Sequence, residues 1–170
     1  MATDLITVLI DTREQRPFSF DHSRFTTQRA TMRTGDYTVL GLEKELVIER
    51  KNLGDFVGTV IGDWLRFKKE LIRMAAFDTA AIVVEANLDD VFARRYESDA
   101  EPSSIIGRAN AIHLDFGVPV LWWGPRTGCV VMLESYLELA VKKTSGIRID
   151  GATGNRGPSF SPFKPIGKVG

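Results

Sequence analysis

One cysteine, two histidines, no net charge and no long apolar run remove several classes of protein at once. A single thiol, Cys129, cannot close an internal disulfide, so the fold is not a disulfide scaffold. Cys129 sits in an apolar run and is expected to be a buried structural thiol, which fits a reducing compartment. His22 and His113 stand alone without metal-ligand spacing, which argues against a histidine-based metal or acid–base centre. No apolar stretch approaches the ~18 residues of a spanning helix, and the start Met1-Ala2-Thr3-Asp4 lacks the basic region of a secretion signal. The expectation is a soluble intracellular protein, cytoplasmic or nucleoid-associated, with no membrane partner. Lysine plus arginine number 22 and aspartate plus glutamate 22, so nucleic-acid binding must come from local basic faces, not from bulk charge.

With 170 residues, 44% of them hydrophobic, the chain can bury one sizeable core. Leu5–Ile10, Phe25–Arg33, Tyr37–Leu40, Leu46–Lys51, Ala80–Glu85 and Val118–Trp123 read as strands. Beyond Leu53 the period becomes helical. Phe56, Val57, Val60, Ile61, Trp64, Leu65, Lys68, Leu71, Ile72 and Ala75 define the stripe, and Gly58 and Gly62 predict a break within it. Leu88–Arg95 reads as a short helix and Pro102–Gly117 as a longer one opened by proline. Val130–Lys143 reads as a last helix after a Gly124–Gly128 loop, with Leu133, Tyr136, Leu137, Ala140 and Val141 on one face. The order predicts a single α/β domain over 1–144, with a mixed sheet between helices. Residues 145–170 read as a Gly/Pro-rich flexible tail.

The chemistry-bearing residues gather at predicted strand ends. Val8-Leu9-Ile10-Asp11-Thr12-Arg13-Glu14 carries two carboxylates after one apolar run. Gly35-Asp36-Tyr37 opens another, and Ile48-Glu49-Arg50-Lys51-Asn52-Leu53-Gly54-Asp55 closes a third. If Tyr37–Leu40 pairs with Leu46–Lys51, Asp36 and Glu49 come to the same end of the sheet. Alternation puts Glu49 and Lys51 on one face, roughly 6–7 Å apart along the strand, and Arg50 on the other unless the strand bulges. Arg50 is then free for Asp55, Asp11 or a phosphate, and Asp55 for Arg50 or Lys51. Carboxylates crowded at strand ends repel one another without a cation. A divalent metal held by one or two of them suits phosphodiester hydrolysis, where a water must be activated and charge neutralised.

These three segments resemble the XPF-type nuclease domain, shared by eukaryotic XPF and archaeal Hef, across about residues 5–143. The likeness lies in a Gly-Asp, a gap, Glu-Arg-Lys and an Asp four residues after the Lys. Arg66-Phe67-x-x-Glu70 and Ile82-Val83-Val84-Glu85 look like that family too. The resemblance implies a restriction-endonuclease-like fold and metal-dependent cleavage of DNA at branches, flaps or junctions, in repair or recombination. It implies Mg²⁺ or Mn²⁺ as cofactor, with Asp11, Asp36 and Glu49 as metal ligands. Arg50 and Lys51 complete the catalytic set, and Glu14 and Asp55 support it. It implies a homodimer through the two late helices, near Trp122-Trp123. Family members usually carry a helix-hairpin-helix DNA-binding module after the nuclease. Here a Gly/Pro-rich tail follows, so DNA selection falls to the domain itself or to a partner supplying that module.

Arg13, together with Arg66, Lys69 and Arg73 at i, i+3 and i+7 of the predicted helix, forms the candidate DNA-binding face. Arg94, Arg95 and Arg108 are weaker candidates. Two alternatives stay open. One is a non-catalytic DNA- or partner-binding module of the same fold, which would be expected to lose metal carboxylates. The other is a Holliday junction resolvase or defence nuclease with looser substrate choice.

Overall fold

Hydrogen bonding between extended segments organises this chain around one sheet. The computed structural model describes residues 5–146. Strands β1 (Ile6–Asp11), β2 (Phe25–Ala30), β3 (Tyr37–Val39), β4 (Leu46–Asn52), β5 (Thr79–Glu85) and β6 (Val120–Trp122) lie in the order β2-β1-β3-β4-β5-β6. β3 runs antiparallel to both its neighbours, and the other pairs are parallel. The carboxyl ends of β1, β4 and β5 and the amino end of β3 therefore meet at one edge. That is the edge where open α/β sheets commonly bind ligands.

Helices α1 (Leu53–Val57), α2 (Trp64–Met74), α3 (Leu88–Phe92), α4 (Pro102–Phe116) and α5 (Arg126–Thr144) cover the sheet. Val47, Ile82 and Val84 pack on one face with Phe56, Phe67, Leu71 and Ile112. Val8, Ile10, Tyr37, Ile48 and Val83 pack on the other with Phe18, Phe20, Cys129, Leu133 and Leu137. Each such fully buried aliphatic side chain contributes about 1.5–3 kcal/mol relative to exposure. The predicted α/β fold with a mixed sheet between helices is the observed one.

The differences have local causes. A π-helical turn spans Gly58–Gly62, between α1 and α2, where the two glycines predicted a break. The extra residue per turn rotates the stripe, so α2 buries Phe67, Leu71 and Met74 while Leu65 and Ile72 are exposed. The last helix begins at Arg126 instead of Val130, because Cys129 N–H donates to the Pro125 carbonyl and closes a first turn through the glycine-rich loop. The second strand ends at Ala30, three residues earlier than predicted, where its ladder to β1 stops. Beyond Gly146 the tail read from sequence lies outside the described residues. Among the described residues no helix is long and apolar enough to cross a membrane.

Candidate active site

The β1–β3–β4 ladder sets the site. Asp11 N–H donates to the Asp36 carbonyl at 2.8 Å, and Asp36 N–H donates to the Ile48 carbonyl at 2.8 Å. The three acidic positions Asp11, Asp36 and Glu49 thus occupy adjoining strands at the same end. Strand alternation puts Glu49 and Lys51 on the face of Val47, the side covered by α1 and α2. Lys51 Nζ lies 2.9 Å from Glu49 Oε1 and 5.2 Å from the centre of the Phe67 ring.

Burial raises the carboxyl groups of both Asp36 and Glu49 above the usual carboxylate range. The Asp36 charge raises Glu49 further, and Lys51 only partly offsets this. Two hard oxygen donors, largely buried and repelling each other, are a donor set that suits a divalent cation. Asp36 is also oriented from behind, because Arg50 N–H donates to its Oδ2 at 2.8 Å.

Asp11 is differently placed. Its carboxylate is fully buried, and it accepts from Arg13 N–H at 2.9 Å, Arg13 Nε at 2.7 Å and Met32 N–H at 2.7 Å. Burial alone would raise it, but these donors hold it below its ordinary value. Its oxygens are committed to Arg13 and the backbone. Among the described residues no three Asp, Glu, His or Cys side chains are grouped as a metal cage. The Asp36 charge acts on Glu49, and Asp11 stands on the adjoining strand with its oxygens engaged by Arg13 and the Met32 amide.

Arg50 lies on the opposite face, as alternation requires, but its partners are not those expected. Its Nε donates to Glu14 Oε2 at 2.9 Å, and Nη1 lies 3.4 Å from Glu85 Oε1. Asp55 does not meet Arg50 or Lys51. It pairs with Asn52 at the start of α1, accepting from Nδ2 at 2.7 Å while its own N–H donates to Asn52 Oδ1 at 2.8 Å. Glu14 thus supports Arg50 from the α5 side of the sheet, and Asp55 supports the helix that follows β4.

In front of Lys51 lies a cleft of roughly 320 Å³ lined by Arg13, Arg33, Lys51, Thr59, Asp63, Arg66, Phe67, Glu70 and Arg73. Arg66 and Arg73 face it as predicted, while Lys69 does not line it. Arg33 and Thr59 escaped the sequence reading, since they reach the cleft only through folding of the turn before β3 and the π turn. Arg94 pairs with Glu101, Arg95 with Asp90, and Arg108 stacks on Trp64, so these three have partners of their own. Trp122 packs edge-on against Phe56 and Trp123 against Tyr136. Cys129 is fully buried with its thiol pushed up to about 11 by burial and the nearby Glu85 charge, which is an inert structural thiol.

A mixed six-stranded sheet flanked by helices matches the fold of the XPF nuclease. The chain belongs to the ERCC4 domain family, whose sequence profile matches residues 10–127. Among solved structures it is similar to XPF from Aeropyrum pernix, with a TM-score of 0.65 at 23% identity over 83% of this chain and 68% of that one. It is likewise similar to XPF from Aeropyrum pernix in complex with DNA, with a TM-score of 0.62 at 24% identity over 81% of this chain and 66% of that one. No curated protein matches the chain in sequence.

Proposed function

We propose that this chain is a Mg²⁺- or Mn²⁺-dependent endonuclease that cuts DNA at branches, flaps or junctions, inside the cell, in repair or recombination. The observation that carries the reading is the neighbouring Asp36 and Glu49 carboxyls, Glu49 buried and Asp36 partly so, with Lys51 at the head of a basic cleft. Membership of a nuclease-domain family supports it, and so does the DNA complex of the similar Aeropyrum pernix protein.

In this reading Asp36 and Glu49 would hold the cation, and Asp11 would help to bind it or its water. A bound divalent ion supplies the positive charge that acidifies a water and neutralises the developing phosphorane. Lys51, fixed by Glu49 and the Phe67 ring, orients the attacking water or a non-bridging phosphate oxygen. Asp11 holds Arg13 at the cleft, and Arg13, Arg33, Arg66 and Arg73 take the flanking phosphates. The late helices leave Leu114, Val131, Met132 and Leu139 exposed, which suits a homodimer; light scattering that reads the mass of one chain at assay concentration rejects that part. A partner that supplies a helix-hairpin-helix module is the other route to DNA selection.

The test is cleavage of labelled flap, fork, four-way junction, duplex and single-stranded DNA with Mg²⁺, Mn²⁺ or EDTA. Metal-dependent cuts near a branch support the proposal. DNA bound but uncut under every condition moves the chain to the binding-module reading.

The cleft makes a separate prediction. Arg66→Ala with Arg73→Ala should weaken DNA binding and reduce the slope of log K against log [salt] by about 2, since each lost phosphate contact removes about 0.9. Binding titrations between low and moderate salt measure this, and an unchanged slope takes α2 off the DNA path.

A further inference from the structure

Arg126, the first residue of α5, carries a positive charge at a helix N-terminus, where the helix dipole disfavours it. Its contacts account for it. Nη1 donates to Glu85 Oε1 at 2.8 Å, and Nη2 donates to the carbonyls of Arg16 and Pro17, each at 2.6 Å. The same Glu85 oxygen lies 3.4 Å from Arg50 Nη1. Arg50 Nε in turn meets Glu14, whose other oxygen accepts from Arg16 N–H at 2.7 Å. The Phe18 ring lies against both guanidinium groups, 5.8 Å from that of Arg50 and 4.7 Å from that of Arg126.

This network of two cations and two anions lies across the sheet from Glu49 and Lys51. Its side chains do not reach the cleft, because the Arg50 side chain points away from it. Arg50, Glu14 and Glu85 are largely buried and Arg126 is about a third exposed; a buried ion network adds little stability over apolar packing of the same volume, but removing one partner leaves a buried charge uncompensated. The network reaches the proposed metal pair through the Arg50 backbone N–H, which donates to Asp36 Oδ2, and through the charges of Glu14 and Arg50, which act on the Asp36 carboxyl.

The geometry points to Glu85 and Arg126 as positioning residues for DNA cleavage: by fixing Arg50 at the end of β4, they hold the Asp36 carboxylate opposite Glu49. This rests on the nuclease reading above and adds two residues to it. Neither touches the substrate. Both act through Arg50 and its amide.

The test substitutes Arg126→Gln and Glu85→Gln and reads three quantities well below the melting temperature. These are kcat on the best branched substrate, KM for that DNA, and Mn²⁺ affinity without DNA by electron paramagnetic resonance. Expected are a kcat and a Mn²⁺ affinity each lowered by about 10–100-fold, the usual range for groups that orient metal ligands, with KM within about threefold. Arg126→Lys retains the charge toward Glu85 but cannot also serve both carbonyls, so it should recover part of the loss. It also carries the test should the glutamine variants fail to fold. A lower melting temperature with kcat and Mn²⁺ affinity unchanged assigns the network to stability alone and overturns the proposal. Wild-type protein that binds Mn²⁺ but cuts no DNA rejects the nuclease reading by itself. The Mn²⁺ titration of the variants then still decides whether Arg126 and Glu85 position the site.

Discussion

Asp36→Asn should lower cleavage by at least about 10²–10³-fold, the scale of losing one preorganised electrostatic contact at a reacting centre, while raising the melting temperature measured in EDTA. The two effects share a cause. Burial raises the Asp36 carboxyl group and the Glu14 charge raises it further, while the Asp36 charge in turn raises Glu49. Asparagine has nearly the same shape and can still accept from the Arg50 amide, which now donates to Asp36 at 2.8 Å. It removes the repulsion without removing that bond, so the metal-free fold gains. The same step deletes half of the proposed donor pair, so the reaction loses. Glu49→Gln should behave alike, since glutamine still offers Lys51 an acceptor. The checks are single-turnover cleavage with Mg²⁺ or Mn²⁺ and thermal melting with EDTA, both on protein whose circular dichroism matches wild type. Cleavage at the wild-type rate would remove Asp36 from the site. Loss of activity with a lower melting temperature would make it a structural acid.

The residues that could be placed from sequence are those whose role is set by neighbours along the chain. Asp36, Glu49 and Lys51 fall into place once two short strands are assumed to pair, because side-chain direction alternates, and Arg50 goes to the far face by the same rule. What the alternation could not supply was the partner. Glu85 meets Arg50, and Arg126 meets Glu85, only because β5 lies beside β4 and α5 starts at the same sheet edge, contacts that join residues dozens of positions apart. A signal was present in each. Glu85 follows a buried apolar run just as Asp11 does, and Arg126 opens a helix with the wrong sign of charge for its dipole. The fate of Asp11 was less accessible. Its position at the end of β1 suggests a ligand, and that Arg13 two residues on turns back to bond it depends on the loop conformation reached after Thr12. The π turn shows a similar limit. Gly58 and Gly62 marked an irregularity, but only its geometry tells that Phe67 and Met74, not Leu65 and Ile72, face the core.

Gly35→Ala should be the most damaging glycine-to-alanine change among the described residues, lowering stability by about 2–5 kcal/mol, the sum of left-handed strain for a non-glycine residue and overpacking of a filled core. Gly35 has φ +74°, and a Cβ there would lie 2.3 Å from Val47 Cγ2 and 3.0 Å from the Ile48 carbonyl oxygen. Neither neighbour can yield easily. Val47 is fully buried between β4 and the helices, and the Ile48 carbonyl is the acceptor for Asp36 N–H. Relief of the clash must therefore push the Gly35–Asp36 turn away from β4, which carries the Asp36 carboxylate off the Arg50 amide and away from Glu49. Thermal melting should show a fall on the order of 10 °C for a domain of this size. Cleavage measured below the new melting point should fall as well, because the displacement is at the site itself. Gly41 supplies the control, since it also has positive φ (+90°) but nothing within 4 Å of the position a Cβ would take. Gly41→Ala bears the backbone strain alone and should cost about 1–2 kcal/mol with activity retained. Equal losses of stability and activity in the two variants would show that the left-handed backbone, and not contact with Val47 and Ile48, is what the Gly-Asp pair requires of its glycine.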